Sequence, residues 1–519
     1  MKKKLIHYRS RHGISIALSL MNEALIKLCR VAYTVIAFLL LTALTCSAFN
    51  PTVKDTSGKH AFLSDDQIRK ILIDRVDVMH KSVGMVVGIV TPGGRRIISY
   101  GQLNQGDTRP LNGETVFEIG SITKIFTALL LADMVQKKEI TLADPITNYL
   151  PEGTKAPEWE GHSITLADLA THTSGLPYIP SNMGIDMAKA ASYSKEDIHK
   201  FSCQYTDNEL HQFLSTYKLT RAIGSQWEYS NIDYGLLGKA LAQHSGTDYE
   251  TLVHQQITGP LKMKSTAISI SASMRKRLGT GHDSELNPAP EMCMPAMEAA
   301  GSLRSTANDL LNLLEVFIGK RKSDLGIAAN AMLDTHRQGP GFEQALGWWV
   351  IGKGDHKIVF FGGETLGYTS SIAFDPKTKT GVVVLVNSDQ TDGGLGLHIL
   401  NPNSPLQTSE STKKLKERAD IAVDHKILDQ YSGSYKSDPP GGTITIERHE
   451  DSLVMKSGTT PPEGVVLHAE NSNKFYIKGI DLQITFQTNS QGKVLGLTIH
   501  YFGKDYVAQR MEKDANNKE

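Results

Sequence analysis

The chain has 519 residues, 40% hydrophobic and 21% charged, the composition of an ordinary globular protein. That length exceeds what one core usually fills, so two domains are the default expectation. Lys plus Arg and Asp plus Glu balance at 55 each, so no net field draws in nucleic acid or an anionic membrane, and no basic cluster interleaved with aromatics points to nucleic-acid binding. The four cysteines (Cys29, Cys46, Cys203, Cys293) include no C-x-x-C pair, which removes zinc-ribbon and thioredoxin-like readings. No metal-ligand cluster stands out, and neither a metal nor a cofactor is expected. Cys203 and Cys293 either form a disulfide or remain separate thiols.

In chain order, residues 31–44 (VAYTVIAFLLLTAL) form an uncharged apolar run, with Lys27 and Arg30 before it and Ser47 and Ala48 after it. That is the order of a secretory signal, and it predicts export to the periplasm or cell exterior. The run is short for a membrane span, which needs about 20 residues, so residues 1–48 read as a signal peptide, with a membrane anchor as the alternative. A start at Met21 gives a more typical signal length.

Residues 65–79 show helical spacing of Ile68, Ile71, Leu72 and Val76. A strand pair follows, MVVGIVT and RRIISYG, around the turn Pro92-Gly93-Gly94. Residues 122–136 read as a buried helix, and a mainly helical region runs to about residue 319. Strands then return as LGWWVIG, IVFFGG, YTSSIAFDP and GVVVLVN. Strands at both ends with helices between predict one sheet built from both termini of the domain, an α/β (α+β) fold over residues 62–400. Residues 401–424 shift to Ser, Thr, Pro, Lys and Glu and read as a linker. Residues 425–512 carry short alternating strands separated by turns, which predicts a small all-β barrel.

The chemistry-bearing motif is Ser121-Ile122-Thr123-Lys124, an S-x-x-K tetrad. The same pattern begins at Ser192, Ser215, Ser273, Ser411 and Ser490, so the tetrad alone decides nothing. The first copy differs in context: it follows VFEIG and opens the apolar run IFTALLLADMV. A serine at a helix N-terminus sits among unpaired N–H groups that stabilise a developing negative charge. Lys124, one turn on, reaches the same face, and a desolvated lysine can accept the serine proton near neutral pH. Tyr229-Ser230-Asn231 is the one Tyr-x-Asn in the chain. A tyrosine held as phenolate can shuttle protons there, and Asn231 can hold a substrate amide.

SITK, ITLADLATHTSGLP, YSNIDYGLLG, GPLKM, AAGSLRSTANDLLNLL and GGETLGYTSS fall in the order seen in the class C β-lactamase and penicillin-binding-protein-like family of serine hydrolases, which the chain resembles over roughly residues 63–400. The resemblance implies an antiparallel sheet flanked by helices, plus a helical subdomain that carries the Tyr-x-Asn loop. It implies an acyl-enzyme formed from an amide, lactam or ester of a small molecule or peptide, with Ser121 as nucleophile, Lys124 as base and Tyr229 as proton relay. His172 is implied to be structural. The C-terminal β region resembles a lipocalin-like barrel.

The family's third element, Lys-Thr-Gly or His-x-Gly, aligns with Phe361-Gly362-Gly363, so Phe361 stands where a cation is usual. Gly363 and Glu364 keep the backbone role: an N–H near Glu364 pairs with that of Ser121 as an oxyanion hole. A literal Lys379-Thr380-Gly381 follows Asp375-Pro376 and precedes GVVVLV, which predicts a hairpin turn about 20 Å from Gly363 rather than a site. Three readings follow: an acylating serine hydrolase (β-lactamase or DD-peptidase-like, or a carboxylesterase or D-aminopeptidase of the same fold), a binding protein that lost turnover at Phe361, or a barrel that binds ligand with the hydrolase domain as scaffold.

Overall fold

The computed structural model describes residues 63–511 except 340, 353, 355–356, 411–412, 414–417, 438–441, 458–463, 479–481 and 502–503. The expected signal or anchor segment lies outside the described residues. Among those described, no helix is long and apolar enough to cross a membrane.

Helix α1 (Asp65–Ile73) opens on a capping box: Ser64 Oγ accepts from Gln67 N–H, and the Gln67 side chain accepts from Ser64 N–H. The predicted hairpin follows as β1 (Gly84–Thr91) and β2 (Gly94–Gly101). The helical region contains α2 (Thr123–Gln136), α3 (Lys195–Gln204), α4 (Asn231–Ser245) and α5 (Ala307–Phe317). Strands return as β3 (Arg337–Gln338), β4 (Glu343–Gln344), β5 (Trp349–Ile351), β6 (Ile358–Glu364), β7 (Thr369–Asp375) and β8 (Thr380–Val386), followed by α6 (Leu395–Leu400).

These eight strands form one antiparallel sheet in the order β2-β1-β8-β7-β6-β5-β4-β3. As the residue pattern implied, the two ends of the domain meet in this sheet, as its second and third strands, where Met85 pairs with Val386. Strand β1 is buried on both faces, which explains its unbroken apolar run. Met85, Val87 and Ile89 pack with Ile68 and Leu72 of α1 and with Leu395 and Ile399 of α6. Val86 and Val90 point the other way, into the larger core with α2, α4 and α5.

The start of the stretch read as a linker is tied down rather than free. Gln407 N–H donates to Gly393 O, Ser409 N–H donates to Asp74 Oδ2, and the buried Arg75 guanidinium donates to Thr391 O and Gln407 O. Beyond it, α7 (His425–Tyr431) leads into a closed eight-stranded barrel. Its strands are β9 (Gly433–Ser437), β10 (Gly442–His449), β11 (Ser452–Lys456), β12 (Val465–Ala469), β13 (Lys474–Tyr476), β14 (Leu482–Thr488), β15 (Val494–Tyr501) and β16 (Lys504–Arg510). Its interior is filled by side chains, with Tyr431 of α7 stacked on Phe486 at 3.9 Å between ring centres.

Candidate active site

The short antiparallel pair Val116–Glu118 with Arg304–Thr306 delivers the chain to the tetrad. Gly120 then adopts φ +49°, and a Cβ there would lie 2.7 Å from Glu364 N and 2.6 Å from Glu364 O. Only glycine combines that backbone with that approach. Residues Gly120–Ile122 form one 3₁₀ turn, and α2 begins at Thr123, so Ser121 sits on the turn that feeds the helix. The helix is apolar on nearly every side and buried accordingly. Lys124 is carried into the interior with it and is 0% exposed.

Lys124 Nζ lies 3.1 Å from Ser121 Oγ, 2.8 Å from Asn231 Oδ1 and 2.7 Å from Ala300 O. Burial holds its ammonium well below the usual lysine range, and the nearby Asp233 only partly offsets this. Tyr229 donates its phenolic hydrogen to Ser121 Oγ at 2.7 Å. Burial pushes that phenol upward, which favours its protonated form over the expected phenolate. Four residues singled out in the sequence are therefore joined in one chain of hydrogen bonds, Tyr229 to Ser121, Ser121 to Lys124 and Lys124 to Asn231.

The loop that carries Tyr229 is fixed by the HTSGLP segment. Glu228 N–H donates to His172 O, Asn231 N–H donates to Tyr178 O, and Ser230 Oγ donates to Pro177 O. Beneath it lies a fully buried polar group. Asp233 accepts from Ser174 Oγ at 2.5 Å and lies 3.1 Å from His172 Nδ1, while the His172 ring packs 4.5 Å from that of Tyr229. Burial lowers the His172 pKa and raises that of Asp233, so the neutral forms of both are favoured.

Strand β6 forms the opposite wall. A Cβ on Gly363 would lie 2.0 Å from Ile119 O and 2.9 Å from Ser121 N, so the strand backbone is pressed against the nucleophile turn. Ser370 Oγ of β7 donates to Ile119 O and holds the same turn from below. The backbone amides of Ser121 and Glu364 thus flank one place. Phe361, two residues before Gly363 and on the same face, is buried edge-on against Trp349 at 5.1 Å. It supplies packing and no charge. The Glu364 carboxyl is pushed up to about 7, mainly by burial.

Lys379-Thr380-Gly381 lies at the β7–β8 turn, with Lys379 at φ +53°, as its flanking residues implied. Cys203 and Cys293 are disulfide-bonded with Cα atoms 4.8 Å apart. Four features of the site were not read from the sequence: the Ala300 carbonyl, the His172–Asp233–Ser174 group, Tyr178, and the Lys195–Asp389 ion pair at 2.7 Å. For Asp233 a signal existed, an acidic residue two places after Asn231 in the first turn of an otherwise apolar helix. For the carbonyl there was none. No His/Cys/Asp/Glu group among the described residues has the arrangement of a metal site.

A serine hydrogen-bonded to a buried lysine and to a tyrosine, between an antiparallel sheet and a helical subdomain, is the arrangement expected of an acyl-transferring serine hydrolase. The sequence profile of the β-lactamase family matches residues 68–399, and the chain belongs to that family. A second profile, for a domain of unknown function (DUF3471), matches residues 417–513. The chain is 29% identical over 321 residues to the D-alanyl-D-alanine-carboxypeptidase/endopeptidase AmpH of Escherichia coli K12, covering 61% of this chain and 78% of the relative. It is 27% identical over 376 residues to a β-lactamase of the same organism, covering 64% and 92%. Among solved structures, a class C β-lactamase in complex with cefoxitin superposes with a TM-score of 0.56 at 21% identity, covering 66% of this chain and 100% of that one. A β-lactamase/D-alanine carboxypeptidase from Yersinia pestis superposes at 0.54 with 24% identity, covering 65% and 97%.

Proposed function

We propose that this chain is exported and hydrolyses a small amide, lactam or ester through an acyl-enzyme at Ser121. The hydrogen-bond set of Lys124 carries this reading. A neutral amine has two N–H groups and one lone pair. Asn231 Oδ1 at 2.8 Å and Ala300 O at 2.7 Å take the two hydrogens, which leaves the lone pair for the Ser121 hydroxyl at 3.1 Å. Desolvation favours that neutral form.

In this mechanism Ser121 Oγ attacks the substrate carbonyl carbon as its proton passes to Lys124 Nζ. The oxyanion lies between the N–H groups of Ser121 and Glu364. Collapse breaks the carbonyl–nitrogen or carbonyl–oxygen bond, and the leaving group takes up a proton through Lys124 and Tyr229. Water then repeats the sequence on the ester and frees Ser121. Asn231, one oxygen of which faces Lys124, holds a substrate amide. The names of the E. coli relatives support amide and lactam substrates. Phe361 leaves no cation for a substrate carboxylate, so turnover of carboxylate-bearing β-lactams is expected to be inefficient.

Export is supported by the signal-like order of residues 1–48 and by the Cys203–Cys293 disulfide, a bond that persists in oxidising compartments. We assign residues 62–400 to the hydrolase unit and 425–512 to the barrel, with 401–424 joining them. The test is a panel of nitrocefin, p-nitrophenyl esters, D-Ala-D-Ala peptides and D-amino-acid amides, run against Ser121→Ala. Turnover of at least one substrate that disappears in the variant is expected. Absence of turnover across the panel, or turnover that survives Ser121→Ala, overturns the reading.

A further inference from the structure

Phe361 supplies no positive charge beside the nucleophile turn. The charges that are present have the opposite balance. Glu364 closes β6 directly against the nucleophile turn, its backbone N within 2.7 Å of where a Gly120 Cβ would be. Its carboxyl makes no side-chain hydrogen bond and no ion pair among the described residues, although it is only partly exposed. Three groups interact with it electrostatically. Tyr178, from the HTSGLP loop, is hydrogen-bonded to Asn231 and feels the Glu364 charge. Lys195, the first residue of α3, and Asp389, just after β8, complete the set. Lys195 is already committed to Asp389 at 2.7 Å, so that pair is neutral as a unit. The nucleophile turn contributes no charge, and buried Lys124 favours its neutral form. Lys195 offsets the Glu364 charge in part, and with Asp389 counted, ionised Glu364 leaves a net negative charge beside the nucleophile turn.

A partly buried carboxylate without a partner is the complement of a cation and repels an anion. The geometry points to Glu364 as the specificity-determining residue of this site, selecting substrates that carry an ammonium group near the scissile carbonyl over those that carry a carboxylate there. The inference rests on the acyl-transfer reading of Ser121 and narrows its substrate class. A charge-assisted contact of this kind corresponds to a preference of roughly 10- to 100-fold. With the carboxyl at about 7, Glu364 is ionised above that pH and neutral below it. The preference is therefore full near pH 8 and fades toward pH 6.

The test uses phenylboronic acids, which add reversibly to a nucleophilic serine and whose small ring can turn a substituent toward either side of the site. Inhibition constants of 3-aminomethyl-, 3-ethyl- and 3-carboxyphenylboronic acid are measured on the full chain, on Ser121→Ala and on Glu364→Gln. At pH 8 the ammonium compound is expected to bind roughly 10- to 100-fold tighter than the carboxylate, with the ethyl compound between them. Glu364→Gln should bring that ratio to within a few-fold of one, and so should measurement of the wild type at pH 6. A ratio near or below one in the wild type at pH 8 overturns the inference, as does a ratio that survives Glu364→Gln. If that variant does not fold, the wild-type comparison decides, and a ratio unchanged at pH 6 overturns the inference. Absence of any Ser121-dependent binding is a separate outcome, which removes the acyl-transfer reading itself.

Discussion

The two regions of the molecule bury polar groups of different kinds, ionisable ones around Ser121 and mainly neutral ones in the barrel, where the Tyr506 hydroxyl has no partner among the described residues. Around Ser121 the hydrolase region buries Lys124 and Asp233 at 0% exposure and His172 at 1%, and it leaves His172 Nε2 without a hydrogen-bond partner. The barrel buries Leu453, Leu482, Ile484, Phe486 and Leu497, and its deepest phenol, that of Tyr435, is satisfied by Tyr431 O at 2.7 Å. Burying an ionisable group costs stability unless its neutral form is favoured, and a group held neutral in that way is ready for proton transfer. The hydrolase region carries that cost where chemistry is done. The barrel's interior is built for cohesion.

The comparison breaks most sharply at Lys124. Lys124→Ala should lower the rate of Ser121 acylation by roughly 10²- to 10⁴-fold, the usual contribution of a general base, measured by stopped-flow with an activated ester. A loss below tenfold would assign the base to another group. The pH profile sharpens the same point. Because burial lowers the Lys124 pKa, acylation in the wild type should rise with pH and level off well below 10.5. A rate still climbing at pH 10 would mean an ordinary, solvated lysine.

In the barrel the expected effect is on stability. Phe486→Ala removes a ring that stacks on Tyr431, and should destabilise the barrel by about 3–5 kcal/mol in denaturant unfolding. Acylation of Ser121 should stay within about twofold, and a larger fall would show that the barrel shapes the site. The smallest effect is expected at the hairpin turn. Lys379→Gly relieves a positive φ and should stabilise the chain by about 1 kcal/mol or less, with acylation unchanged. A loss of acylation there would make the literal Lys-Thr-Gly functional after all.

Much of this was legible in the sequence because it was local. An apolar run after Ser121 implied that Lys124 would be buried, and alternation placed strands at both ends of the hydrolase region. Asp375-Pro376 before Lys379-Thr380-Gly381 marked a turn. What the residues left open depends on distant segments meeting. The acceptor for Lys124 at Ala300 is a backbone carbonyl, and any residue could present it. The upward shift of the Tyr229 phenol depends on distant segments packing around its ring, His172 and Trp227 among them. Glu364 was visible beside Gly363, but that its carboxyl lacks a partner among the described residues, while Lys195 is paired with Asp389, depends on α3 meeting the segment after β8. The disulfide joins residues 90 positions apart, and their spacing alone left both redox states open.

The most direct test of the central claim is to trap the acyl site itself. The chain is treated with a fluorophosphonate, digested, and the adduct located by peptide mass spectrometry. The account predicts a single modified residue, Ser121, with labelling absent from Ser121→Ala and strongly slowed in Lys124→Ala. An adduct on any other serine, or labelling that persists in Ser121→Ala, would contradict it.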